Sequence, residues 1–106
     1  MFETKDISLY GDNYTLKKFP TIEGLKIRKE FYSMLQSGEA VPPVEFQVKV
    51  ICAGSTVNSI QIDQKKFETH FRGKYDAIDE LFTEILDFNF GIKAEAEGNE
   101  SNATAE

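Results

Sequence analysis

The sequence predicts an α+β fold dominated by helices: an N-terminal β-hairpin packed on three to four helices, then a disordered acidic C-terminal tail. Three observations carry that expectation. β-Branched and aromatic residues stand on either side of a Gly-Asp-Asn cluster near the N-terminus, apolar residues recur at helical spacing in later segments, and the composition changes after Gly91. A chain of 106 residues has room for one folded domain, expected over residues 1–91. A hydrophobic share of 41% with nine Phe is enough for a core. A domain of this size still buries only about two-thirds of its unfolded surface, so its stability margin is thin.

The hairpin is expected over residues 7–19, where Ile7-Ser8-Leu9-Tyr10 and Tyr14-Thr15-Leu16-Lys17-Lys18-Phe19 flank Gly11-Asp12-Asn13. Tyr14 and Leu16 share one face of the second arm, and Thr15, Lys17 and Phe19 the other. A lone two-stranded ribbon is marginal in water, so the apolar face must rest on something. Pro20 ends the ribbon and Thr21 offers an N-cap for a helix over about 21–37. Its apolar residues Ile22, Leu25, Ile27, Phe31, Met34 and Leu35 recur at helical spacing. Gly24 weakens its first turn by roughly 1 kcal/mol against Ala, and Gly38 is available for a left-handed cap.

Residues 44–52 fit two periods. Val44, Phe46, Val48 and Val50 alternate as a strand would, whereas Val44, Val48, Ile51 and Cys52 fit one helical face behind Pro43. Gly54 closes the segment either way, and residues 55–62 read as turn and extended chain. Asp63 offers an N-cap for a short helix over 63–71, in which Phe67 and Phe71 lie four apart before Gly73 breaks it. The clearest element is a helix over 74–90. Tyr75, Ile78, Leu81, Phe82, Ile85, Leu86 and Asn89 follow the amphipathic rule, with Asp76, Asp79, Glu80, Glu84 and Asp87 on another face. Residues 92–106 carry no large apolar side chain beyond Ile92 and cannot offset their ordering entropy by burial, which predicts disorder.

Charge narrows the function classes. The formal net charge is −6 and the densest basic stretch, Lys26, Arg28 and Lys29, is interleaved with Glu23 and Glu30. Nucleic-acid binders show a Lys/Arg stripe, so no nucleic acid is expected as partner. An anionic membrane surface would repel the chain. No apolar run approaches the roughly 18 residues of a membrane span, and Met1-Phe2-Glu3-Thr4-Lys5-Asp6 lacks the basic and apolar regions of a signal peptide. A cytoplasmic protein is expected. The Asn-x-Ser/Thr triplets at Asn13, Asn99 and Asn102 then have no glycosylating compartment to act in.

The catalytic inventory is poor. Cys52 and His70 are the single thiol and imidazole, and nothing in the sequence brings them within hydrogen-bond reach. Cys52 sits in an apolar run as a small hydrophobe, and His70, between Phe67 and Phe71, is expected to be a packing or partly exposed residue. The acidic face of the last helix lacks the many oxygens from several elements that a hard cation takes. No phosphate loop, zinc or dinucleotide pattern occurs. No enzyme activity, metal or cofactor is therefore expected. Phe67, Phe71, Tyr75, Phe82, Phe88 and Phe90 exceed what the stripe of one helix needs, and some are expected to form a partner-binding or self-association patch.

The order of these features resembles the small tail assembly chaperones of long-tailed bacteriophages. Tyr10-Gly11-Asp12-Asn13-Tyr14-Thr15-Leu16, followed by Phe19-Pro20-Thr21-Ile22-Glu23-Gly24-Leu25-Lys26, is similar to their opening hairpin and Pro- or Thr-led helix. His70-Phe71-Arg72-Gly73-Lys74-Tyr75 and Glu84-Ile85-Leu86-Asp87-Phe88-Asn89-Phe90-Gly91 resemble their closing segment. The resemblance spans about residues 7–91. It tips residues 43–53 towards helix. It implies a chaperone that binds the long helical tape measure protein in the host cytoplasm, keeps it soluble, and is absent from the mature virion. It further implies a frameshift-extended form that recruits the tail tube protein, and self-association into a homo-oligomer is expected from the aromatic patch. A structural virion protein of the tail completion or baseplate type, or an acidic protein-binding inhibitor or adaptor, is the competing expectation.

Overall fold

The structure, a computed structural model, describes residues 4–38 and 41–91. The expected tail over 92–106 lies outside the described residues. Strands β1 (Thr4–Leu9) and β2 (Asp12–Lys17) form the hairpin, with Ile7 opposite Tyr14 and Leu9 opposite Asp12. The turn is the pair Tyr10-Gly11, both at positive φ, which is the two-residue geometry that matches strand twist. Asp12 and Asn13, expected in the turn, already belong to β2.

Helix α1 spans Thr21–Gln36, α2 Val44–Gly54, α3 Gln64–His70 and α4 Tyr75–Phe90. Between α2 and α3 the chain forms a second hairpin, β3 (Ser55–Val57) and β4 (Ile60–Gln61), turning at Asn58-Ser59. The turn and extended chain expected over 55–62 are present, and the extended pieces pair with one another as strands. β3 pairs antiparallel with β2, Tyr14 opposite Val57 and Leu16 opposite Ser55, giving one sheet of order β1-β2-β3-β4. Strands of two and three residues carry no visible alternation. Their pairing comes from a strand some forty positions earlier, held by the Asn58 N–H on the Asn13 carbonyl (2.7 Å) and the Asn13 N–H on Asn58 Oδ1 (3.1 Å).

Helix ends follow local chemistry. Asp63 caps α3 by accepting the Lys66 N–H at 2.8 Å. α4 ends at Gly91, left-handed at φ 71, whose N–H donates to the Asp87 carbonyl. α1 is capped differently from the expectation: Pro20 holds the N-cap position without a side-chain bond, and Thr21 is the first helical residue. The open question over 44–52 resolves to helix. Its buried residues are Phe46, Val50, Ile51 and Gly54, so the helix is rotated from the expected face and Val44 points to solvent.

The core lies between the sheet and the pair α2 and α4. Tyr14, Leu16 and Val57 from the sheet meet Phe46, Val50 and Ile51 of α2 and Leu81, Phe82, Ile85 and Leu86 of α4. Asn89 clasps the end of α4 to the end of β2: its Oδ1 accepts the Phe19 N–H (2.8 Å) and its Nδ2 donates to the Lys17 carbonyl (3.1 Å). α1 lies at the margin of this core. It buries Gly24 and Ile27, stacks Phe31 on Phe46 at 6.4 Å, and is tied to α2 by the Lys49–Glu30 ion pair at 2.7 Å.

Candidate partner-binding surface

The six aromatic residues expected at a partner surface do not form one patch. Phe71 and Phe82 are 2% and 6% exposed and belong to the core. Phe71 stacks on Tyr14, and Phe82 meets Phe46 edge to face. Phe82 occupies an inward position of α4 and Phe71 the C-cap just after α3, and each ring buries its large apolar area there. Phe67 is half-buried against Phe71, and Phe88 and Phe90 are half-buried against the core. The ring of Phe90 lies 5.7 Å from Phe19, and the ammonium of Lys18 sits 4.0 Å over the ring of Phe88. Tyr75 is exposed on the first turn of α4 and lines a depression of about 300 Å³ with Tyr10 and Lys74.

The exposed apolar surface lies elsewhere. On α1, Ile22, Leu25, Tyr32 and Leu35 are 70, 53, 45 and 55% exposed, although Ile22, Leu25 and Leu35 belong to the helix's expected apolar stripe. The helix carries apolar residues on two sides: Ile27, Phe31 and Met34 turn inward, whereas Leu25, Tyr32 and Leu35, at intervals of seven and three, lie on the outside. Val41 and Val44, before and at the start of α2, are also exposed. The only available signal for it in the sequence is that α1's apolar residues span too much of its circumference for one buried stripe.

Grooves flank these residues. One of about 290 Å³ runs between α1 and the end of α4, lined by Leu25, Arg28, Phe19, Phe90 and Lys18. A second of about 370 Å³ lies among Phe31, Val41, Pro42, Phe82 and Leu86. A third of about 440 Å³ separates α2 from α3, with Val44, Val48 and Phe67 as its apolar lining. The acidic face of α4 presents Asp76, Asp79 and Glu80 to solvent, with Glu80 accepting the Tyr10 hydroxyl at 2.7 Å.

Four titratable side chains cluster where β2 meets the end of α3. The Tyr14 hydroxyl lies 2.9 Å from His70 Nε2, and Asp12 Oδ2 lies 3.4 Å from the same nitrogen and 3.3 Å from Lys74 Nζ. Burial pushes the Tyr14 hydroxyl up to about 12 and, with help from Lys74, holds His70 below its ordinary value. Burial would raise Asp12, but hydrogen bonds from Lys74 and Asn58 outweigh it and bring its carboxyl below the usual range. Tyr14 has no exposed surface, so no substrate reaches its oxygen, and the arrangement bonds β2 to α3. Cys52 is half-buried on α2, where desolvation raises its thiol away from the reactive thiolate, and it makes no hydrogen bond to His70. Among the described residues no three His, Cys, Asp or Glu side chains gather to hold a metal ion, and no helix is long and apolar enough to cross a membrane.

Comparison with protein-family models, with curated proteins and with solved structures finds no match for this chain.

Proposed function

We propose that this chain is a phage tail assembly chaperone: a non-catalytic, cytoplasmic protein that binds the tape measure protein and keeps it soluble until the tail tube assembles. One observation carries the reading: a helix with Ile22, Leu25, Tyr32 and Leu35 open to water, beside apolar grooves. Burying a side chain of this size against a partner contributes about 1.5–3 kcal/mol, so four of them form a surface suited to an amphipathic helix laid in a groove.

Co-expression with the long helical client tests the reading. The client should be recovered in the supernatant only when this chain is present, and the double variant Leu25→Asp, Leu35→Asp should return it to the pellet. A client that stays insoluble beside the wild-type chain sinks the proposal. A structural virion protein is the competing reading, and it requires the chain to be present in purified particles, where the chaperone is absent.

A further inference from the structure

The outward side of α1 is cationic in a chain whose net charge is −6. Lys26, Arg28 and Lys29 are exposed among Ile22, Leu25, Tyr32 and Leu35. The helix's two acids do not compensate them there: Glu30 is engaged by Lys49 at 2.7 Å, and Glu23 is half-buried. Leu25, Arg28, Tyr32 and Leu35 follow one another at intervals of three, four and three, the spacing of a seam that packs a second helix. At a rise of about 1.5 Å per residue this seam is roughly 15 Å long. At its N-terminal end it opens into the groove beside α4, where Phe19, Leu25 and Phe90 supply apolar lining and Lys18 and Arg28 supply positive charge. Lys18 is held there by the Phe88 ring and the Phe88 carbonyl.

We propose that α1 and this groove dock an amphipathic helix whose apolar stripe is flanked by Asp and Glu, an inference that rests on the client-binding reading above. Charge complementarity selects the occupant. An acid-flanked helix is attracted to this face and repelled by the acidic remainder, including Asp76, Asp79 and Glu80 of α4, so its location is set as well as its affinity. A base-flanked helix meets the opposite pattern and is turned away from α1.

Two synthetic helical peptides of three heptads, with the same leucine stripe and either Glu or Lys at the flanking positions, separate the possibilities against the full chain. Affinity is read by fluorescence anisotropy and location by backbone amide shifts. The Glu peptide should bind on the order of tenfold tighter at low salt, with the gap closing as salt screens it, and the shifts should fall on α1. The exposed-residue variant Lys26→Glu, Arg28→Glu, Lys29→Glu should invert the preference with an unchanged circular dichroism spectrum. If the Lys peptide shifts the α1 amides as strongly as the Glu peptide, the acid-flanked inference is wrong while helix binding stands. Shifts confined to the α2–α3 groove likewise overturn it. If neither peptide binds, the client-binding reading fails and takes this inference with it. Dimerisation through α1 without peptide binding would make a second copy the occupant, and binding of phosphatidylserine vesicles through Lys26, Arg28 and Lys29 in place of peptide would make it a membrane; each overturns the proposal.

Discussion

At the scale of single residues, the Tyr14–His70–Asp12 group shows how burial sets a protonation state. The Tyr14 hydroxyl is buried and has His70 Nε2 at 2.9 Å as its partner. With Tyr14 donating, the imidazole must be neutral and accept at Nε2; protonation removes that acceptor. Desolvation and Lys74 hold the folded pKa of His70 below the 6.5 of the free side chain. Between those two values the unfolded chain binds a proton that the folded chain does not, so stability rises with pH across that interval. The contribution is fully present above about pH 6.5 and is lost as pH falls towards the folded value. Urea unfolding of the wild type should therefore lose stability as pH falls below about 6.5 towards the folded value, and His70→Gln, which keeps an acceptor but cannot titrate, should show a flatter profile. An equal slope in both proteins would mean that the protonation of His70 does not carry the effect. His70 as a packing residue was legible from the adjoining Phe71, but Tyr14 as its partner was not, since the two stand 56 positions apart.

At the scale of elements, the closest fit is where α2 ends against α4. A methyl group on Gly54 would lie 2.4 Å from Ile85 Cγ2 and 2.9 Å from Phe19 Cε1. Ile85 is fully buried in the middle of α4 and has nowhere to retreat. Gly54→Ala should therefore cost about 1–3 kcal/mol by overpacking, read as a lower urea midpoint with unchanged slope, despite alanine's better helix propensity. An unchanged midpoint would mean that α2 and α4 part more easily than their packing implies. In the sequence Gly54 was legible as a stop but not as a contact. α4 was legible because its apolar residues keep to one side and its acids to another. The faces of α1 and α2 were not: both helices carry branched or aromatic residues around much of their circumference, and only the packing chooses Phe46 and Val50 over Val44, or Ile27 over Leu25.

At the scale of the whole molecule, the exposed side of α1 follows from how the layers are filled. The sheet covers one side of α2 and α4, and the space that remains admits one side of α1, through Ile27, Phe31 and Met34. A helix with two apolar sides keeps one in water in such a domain, where it is either a docking face or an association hazard. The net charge of −6 opposes the hazard by repulsion between copies. That protection depends on ionised carboxylates, so it weakens as pH falls towards the isoelectric point near 4.8. Light scattering should show monomers at neutral pH and a reversible rise in mean mass close to the isoelectric point. The neutral substitutions Leu25→Gln and Leu35→Gln leave the charge unchanged and remove apolar area that is already exposed, so folding stability should move by no more than about 0.5 kcal/mol, while the rise in mass should shrink. If the variant associates as strongly as the wild type, the association runs through another surface, such as the outer edge of β1, and the outward side of α1 is not the molecule's most adhesive face.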